Sequence, residues 1–151
     1  MNPRLRDNIP LIESLVRAYP RAYSVHACLA NLLHDAGRKR AATRQLLRNA
    51  ALFPDSPSPY FQRARWAMNA QDWLGAARWL TKCLRKDNGY FRNAALFRRG
   101  ECFFQAGKLD LAQADFAALP DGYEEFGVRG VEFKSKAQML DAVQLARSHE
   151  T

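Results

Sequence analysis

The sequence predicts an all-α protein built as a stack of helical hairpins with a capping helix at each end. Three observations lead to this prediction. Small residues, aromatic residues and prolines recur at a fixed spacing, which is the sequence signature of a repeat architecture. Each copy of the repeat contains two helical segments joined by a turn. Amphipathic segments precede and follow the repeats, and stacked-repeat proteins need such segments to cover their terminal faces.

The first two copies of the repeat are 34 residues apart, the spacing that separates Pro20 from Pro54 and Ala30 from Ala64. A third copy follows at a spacing of 36 residues, where Gly100 takes the place of the alanine. Two extra residues in a turn cost little, because loop-closure entropy rises slowly with loop length. Together these spacings place the repeats at residues 23–56, 57–90 and 93–120.

Each copy is predicted to be a hairpin of two closely packed helices. Ser58-Pro59 supplies an N-cap serine and a first-turn proline, and Gly37 and Gly107 suit helix C-termini. A small residue such as Gly100 lets the two helices of a hairpin cross closely. The first helices are predicted at about 23–36, 58–70 and 92–106, and the second helices at about 39–52, 73–86 and 109–119.

The segments outside the repeats are predicted as two capping helices and one irregular stretch. Residues 7–20 form an amphipathic N-terminal helix. Ser135 and Gln138 match a capping box, which begins a C-terminal helix over residues 135–149. Residues 121–134 contain glycines and some strand-like alternation, so a loop, a short hairpin and a broken helix all stay open. The whole chain is expected to form a single domain.

The charge balance is strongly basic, with a formal net charge of +8 and a pI of about 9.8. An acidic partner is therefore plausible, whether nucleic acid, an anionic membrane surface or an acidic protein. No apolar run approaches the roughly 20 residues that span a bilayer, so we expect no membrane insertion. The first residues lack the features of a signal peptide, and we expect the chain to be cytoplasmic.

The three cysteines do not form a recognisable framework. Their number is odd, and no two of them make a C-x-x-C pair, which argues against disulfides and against a zinc site. Cysteine is also a small and frequently buried core residue. We therefore expect Cys28, Cys83 and Cys102 to be buried, reduced thiols.

The sequence shows no catalytic constellation. It has no glycine-rich phosphate loop, no nucleophile elbow and no H-E-x-x-H metal motif. His26 and His34 are two helical turns apart, too far to share one metal ion unaided, and His26 is predicted to be a packing residue. We therefore expect the protein not to be an enzyme and to use no metal and no cofactor.

The spacing of small and bulky residues resembles that of the tetratricopeptide-repeat (TPR) family. The matching patterns are Tyr60-x3-Ala64, Gly100-x2-Phe103-x3-Gly107 and Ala112-x3-Phe116. The resemblance covers about residues 23–120. It departs from the family pattern at Arg63 and Arg99, where a leucine is usual, and at His26 and Leu96, which replace the tryptophan.

This resemblance implies a right-handed superhelical stack in which the first helix of each hairpin lines a concave groove. In that family the groove binds a peptide or helix of a partner protein. Aromatic residues, methionine and arginine at the matching positions are typical of binding hot spots. The groove residues predicted in this way are Asn31, His34, Phe61, Gln62, Arg65, Met68, Phe97, Arg98, Glu101 and Phe104.

A second basic feature follows the outer helices at helical spacing. It consists of Arg40, Arg44, Arg48, Arg78, Lys82 and Lys86. If hairpins stack, these residues merge into one basic convex face. That face is either an ordinary solvated surface or a contact for phosphate groups or an acidic protein.

The leading functional prediction is a protein-binding module of the adaptor or chaperone type, whose protein or peptide partner is plausibly acidic. The second is a nucleic-acid-associated protein that uses the basic convex face, although no RNA-binding aromatic motif accompanies it. An immunity protein for a secreted toxin is a further binder of similar build. Self-association into a homodimer through an exposed groove is the remaining alternative.

Overall fold

A computed structural model of the chain describes residues 7–86, 89–126 and 133–150, with only the backbone of Phe133. These residues form eight α-helices and one two-stranded antiparallel sheet. The helices are α1 (Ile9–Ala18), α2 (Tyr23–Asp35), α3 (Lys39–Leu52), α4 (Ser58–Asn69), α5 (Trp73–Arg85), α6 (Arg92–Gln105), α7 (Leu109–Ala117) and α8 (Lys136–His149). The strands are β1 (Glu124–Phe126) and β2 (Phe133–Ser135). The all-α fold class is thereby confirmed, and the helices lie where the repeat predicted them.

The irregular stretch contains a short hairpin, one of the three alternatives that the sequence left open. Glu125 of β1 pairs with Lys134 of β2. The predicted capping box is also present, because Ser135 Oγ accepts from the Gln138 amide while the Gln138 side chain accepts from the Ser135 amide. Residues 1–6, residues 87–88 near the end of the second predicted repeat, residues 127–132 of the irregular stretch and residue 151 lie outside the described residues.

The three hairpins end their first helices in the same way. At the turn after α2, the Arg38 amide donates to the Leu33 carbonyl at 2.8 Å, and Gly37 has a φ of 79°. The turn after α6 repeats this geometry, with Gly107 at a φ of 72°. This is the Schellman motif, in which glycine adopts the left-handed conformation without a steric penalty. The middle hairpin places Gln71 there instead, at a φ of 59°.

Contacts between Cα atoms divide the chain into two compact units, Met1–Pro59 and Tyr60–Thr151. In the N-terminal unit α1 packs on α2, and α2 packs on α3. His26 is buried there, and its Nε2 donates to the Pro20 carbonyl at 3.0 Å, while its Nδ1 lies 3.5 Å from Nε2 of Gln45. Its ring also meets Phe53 edge-on. His26 is therefore the packing residue that the sequence predicted.

The C-terminal unit has two buried clusters. One joins α4, α5 and α6, and the other joins α6, α7 and α8. Leu80 and Phe116 are fully buried in these clusters. Lys136 ties α8 to the end of α7, because its Nζ donates to the carbonyls of Ala117 and Leu119.

The two arginines that replace leucines of the repeat pattern have their own partners. Arg99 makes a two-pronged ion pair with the buried Asp115 carboxylate, at 2.7 and 2.8 Å, and donates to Thr81 Oγ1. Arg63 lies over the rings of Trp66 and Trp79. A bidentate ion pair fixes the relative orientation of its two side chains as well as attracting them. This pair therefore links α7 to α6 in addition to their apolar contacts.

The absence of a side chain at Gly100 is a requirement of the crossing between α6 and α7. A Cβ atom at this position would lie 2.6 Å from Cε1 of Phe116, and two further ring carbons would lie at 2.9 Å. The Phe116 ring is fully buried and packs edge-on against Phe97, at 5.7 Å between centroids. The ring therefore has no room to retreat.

Gly100→Ala is expected to lower the free energy of unfolding by about 1–2 kcal/mol, because overpacking in a dense core is costly. The higher helix propensity of alanine should stabilise the variant by up to about 1 kcal/mol. A net loss of stability can therefore be attributed to the steric contact. Urea denaturation measures the net change in the free energy of unfolding. In the double variant Gly100→Ala/Phe116→Leu the smaller side chain should relieve the clash, so the two effects should not add. A stabilised Gly100→Ala protein would show that the helices do not cross here.

Candidate functional site

A groove with a volume of about 670 Å³ lies in the C-terminal unit, between α4, α6 and the β1 strand. This volume is in the range of ligand-binding clefts. The first helices of two successive hairpins share it. Its lining residues are Phe61, Arg65, Met68, Asn69, Tyr90, Phe91, Asn93, Ala94, Arg98, Tyr123, Glu125 and Phe126. Four of the residues predicted for the groove, Phe61, Arg65, Met68 and Arg98, are among them.

Aromatic side chains dominate one wall. The rings of Phe61 and Phe91 are 5.2 Å apart, and Tyr90 meets Phe91 edge-on at 4.9 Å. Tyr90 is 84% exposed, and Phe126 on the opposite wall is 46% exposed. Sequence reasoning missed Tyr90, Phe91 and Phe126. The first two lie at the insertion between repeats, and Phe126 lies outside the repeat, so no repeat position pointed to them.

The two arginines of the groove differ in their surroundings. Arg98 donates to the buried carboxylate of Glu101 at 2.9 Å and lies 3.8 Å from that of Glu125. Arg65 is exposed, and no carboxylate among the described residues forms an ion pair with it. Both were predicted as groove residues. Arg98 is engaged by the chain's own carboxylates, whereas Arg65 is not engaged by any carboxylate of the described residues.

The β hairpin lies over the middle of α6. Glu125 of β1 faces Arg98, and Lys134 of β2 lies 3.9 Å from Glu101. Tyr123, just before β1, packs against Phe97 and donates its hydroxyl proton to Glu125 at 2.8 Å. Burial and this hydrogen bond both raise the pKa of Tyr123. Aromatic contact and charge together thus hold the hairpin against the helix.

This hairpin separates the predicted groove residues of α6 into two groups. Phe104 lines a separate pocket of about 260 Å³ on the other side, with Glu101, Lys134 and residues of α8. Phe97 is 0% exposed, and its place as a groove contact is corrected to that of a core residue. Glu101, Gln62 and Met68 are also buried, although Met68 still borders the groove. The sequence pattern treated one helical face as open, whereas Tyr123 and the hairpin cover part of it.

The remaining predicted site residues are those of α2 and those of the basic convex face. Asn31 and His34 are half-buried on α2, and His34 Nδ1 lies 3.3 Å from the Asp35 carboxylate. Lys82 lies over the Trp79 ring at 4.5 Å. The residues predicted for the convex face are all exposed, namely Arg40, Arg44, Arg48, Arg78, Lys82 and Lys86. Their merging into one face stays a prediction.

The cysteines do not share one environment. Cys83 and Cys102 are buried, whereas Cys28 is exposed, which corrects the expectation for that residue. Burial, with a smaller contribution from the Glu101 charge, raises the pKa of Cys102 to about 12. Within the described ranges, no three His, Cys, Asp or Glu side chains gather in a way that could hold a metal ion. No helix of these ranges is long and apolar enough to cross a membrane.

Comparison with solved structures assigns the fold. A crystal structure of MamA protein superposes with a TM-score of 0.67 and 15% identity, over 96% of this chain and 74% of that one. The MamA D159K mutant gives a TM-score of 0.59 and 20% identity, over 97% and 78% of the two chains. The fold is that of MamA, a TPR-like helical protein. Another MamA crystal structure gives a TM-score of 0.61 and 13% identity, over 97% and 90% of the two chains.

Comparison of sequences gives no assignment. No family model matches the chain, and no curated protein matches it. At the identities of the MamA structures the likeness concerns the fold alone.

Phe97→Ala is expected to destabilise the protein by about 3–5 kcal/mol, because it removes a large, fully buried ring from the core. Tyr90→Ala is the matched control, since truncation of an exposed ring typically changes stability by about 0.5 kcal/mol or less. Chemical denaturation of both variants tests this. Equal stability of the two variants would show that Phe97 is not a buried core residue.

The thiols should differ in reactivity. The folded protein should expose one fast-reacting thiol to Ellman's reagent, at Cys28, because the thiolate is the nucleophile and burial suppresses it at Cys102. All three thiols should react after denaturation. Mass spectrometry of the modified protein identifies the residue. Rapid modification of Cys102 in the folded protein would contradict the packing of α5 against α6.

Proposed function

We propose that the chain is a non-catalytic protein-interaction module of the TPR type, which acts as an adaptor or chaperone. It binds a peptide or helix of a partner protein in the groove of the C-terminal unit. The observation that carries this proposal is the groove itself, in which the exposed rings of Tyr90 and Phe126 lie with Arg65, which forms no ion pair with a carboxylate of the described residues. The fold, which is TPR-like, supports the same reading.

The aromatic wall suits an apolar anchor of the partner. Tyr90 is 84% exposed and Phe126 46% exposed, whereas the rings of Phe61 and Phe91, which pack on each other, are half-buried. Covering such rings releases water from apolar surface, and aromatic residues in a cleft supply most of the binding energy at many interfaces. A partner side chain of aromatic or aliphatic character would therefore insert here.

The polar residues of the groove suit a peptide chain. Asn69 and Asn93 line the groove from α4 and α6, and an amide side chain both donates and accepts hydrogen bonds. Such groups can bind the backbone of a segment whatever its side chains are. Arg65 adds a guanidinium, which can bind a carboxylate through two parallel hydrogen bonds. The preferred segment therefore carries an apolar anchor and a nearby acid.

Tyr90→Ala and Arg65→Ala should each weaken partner binding by about tenfold or more, in line with the loss of a hot-spot residue. Tyr19→Ala and Arg92→Ala are matched controls, because these residues are of the same types, exposed, and outside the groove. The partner is first isolated with the whole chain by affinity purification and mass spectrometry. Titration calorimetry then gives its Kd for each variant.

Groove binding also predicts a modest dependence on salt, because apolar burial is little screened by ions. Unchanged affinity in both groove variants would contradict the proposal. A steep fall of affinity with salt, with no difference between groove and control variants, would contradict it as well.

A further inference from the structure

A second cavity, with a volume of about 470 Å³, lies in the N-terminal unit among α1, α2 and α3. Four arginines line it, namely Arg17, Arg38, Arg44 and Arg48, together with one acidic residue, Glu13. Helix α1 supplies one wall, α3 with the residue before it supplies the other, and α2 supplies the floor.

The arginines converge from separate elements. Arg17 lies in the last turn of α1, and Arg38 immediately precedes α3. Arg44 and Arg48 are one turn apart on α3, so their side chains leave the same face of the helix. The sequence grouped these two with Arg40 on one basic face. Arg44 and Arg48 line the cavity, whereas Arg40 does not.

The chain itself does little to balance this charge. Arg17 donates to Ser14 Oγ at 3.3 Å. Within the described part of the chain, no carboxylate forms an ion pair with Arg38, Arg44 or Arg48. Arginines crowded around one cavity repel one another, so their arrangement favours binding of an anion over stability.

The floor of the cavity distinguishes between kinds of anion. Its buried lining residues are Leu29, Leu33 and Gln45, and Val16 and Ala41 are half-buried beside them, so most of the uncharged lining is aliphatic. An apolar floor offers nothing to a phosphate backbone. None of the lining residues is aromatic, whereas single-stranded nucleic acids are bound largely by stacking of bases on aromatic rings. A ligand with both an aliphatic side chain and several carboxylates fits better.

We propose that this arginine cavity binds an acidic amphipathic segment of a protein. The segment sets an aliphatic side chain on Leu29 and Leu33 and directs its carboxylates to the guanidinium groups at the rim. The planar fork of arginine matches a carboxylate in two hydrogen bonds, which gives orientation as well as attraction. The cavity is a separate site from the groove of the C-terminal unit and does not depend on it.

The test uses the whole chain and a fluorescent peptide in which glutamates surround leucines at helical spacing. At physiological salt the wild-type protein should bind it in a fluorescence anisotropy titration. Arg44→Gln/Arg48→Gln should weaken binding by about tenfold or more, because both lost residues contact carboxylates. Arg17→Gln/Arg38→Gln alters the rim from the other side and should have a similar effect.

The control variant Arg40→Gln/Arg78→Gln removes the same charge from exposed positions outside the cavity. It should change the Kd by about twofold or less, as screened surface charges do. Circular dichroism and the unfolding midpoint confirm that each variant is folded. The groove variants Tyr90→Ala and Arg65→Ala are measured in parallel, because the groove also suits an apolar anchor with a nearby acid. A loss of peptide binding in the cavity variants, at an affinity that the groove variants retain, assigns the peptide to the cavity.

Three results would overturn the proposal. The first is no binding of the acidic peptide, or equal binding of a counterpart with glutamine for glutamate. The second is an equal loss in the cavity and control variants, which would indicate diffuse attraction by the net charge. The third is binding of an oligothymidylate, but not of the peptide, that depends on Arg44 and Arg48, which would assign the cavity to nucleic acid.

Discussion

The close crossing of two helices within each hairpin is the constraint on which the rest of the structure depends. Ala30, Ala64 and Gly100 occupy the same place in the three first helices, and all three are fully buried or covered. At Gly100 even one methyl group would meet the Phe116 ring. Because the Phe116 ring fills the space that a side chain at position 100 would take, α6 and α7 pack closely there, and the apolar residues beside the crossing fill a dense core.

The sequence predicts those features that depend on local chemistry and on the period. The hairpin turns at Gly37 and Gly107, the capping box at Ser135 and the small residues at the crossings were all readable, since each requires a residue type at a fixed position. The burial of Phe97 was not readable, because it depends on Tyr123, which approaches from a segment outside the repeat. A periodic pattern shows which residues share a helical face, but it does not show what covers that face.

The same distinction explains the candidate groove. Arg65 and Phe61 lie at repeat positions and were predicted, whereas Tyr90 lies at the insertion that lengthens the spacing to the third copy, and Phe91 directly follows it. An insertion has no counterpart in the other repeats, so comparison of the repeats says nothing about its side chains. The insertion nevertheless supplies the most exposed ring of the groove, Tyr90. In a repeat protein, insertions that interrupt the period can vary freely. They are therefore the segments in which a surface specific for one partner forms most readily.

The basic residues of the chain fall into two groups according to their surroundings. Arg98 and Arg99 are engaged by the chain's own carboxylates, and they hold the hairpin and α7 against α6. Their charge is part of the fold and is not offered to a partner. Arg65 in the groove, and Arg44 and Arg48 beside the N-terminal cavity, have no such carboxylate among the described residues. Each adjoins apolar or aromatic surface that is accessible from solvent. A net charge of +8 would serve any anion, whereas a guanidinium beside apolar side chains suits the acidic segment with a hydrophobic side chain that we propose for each site.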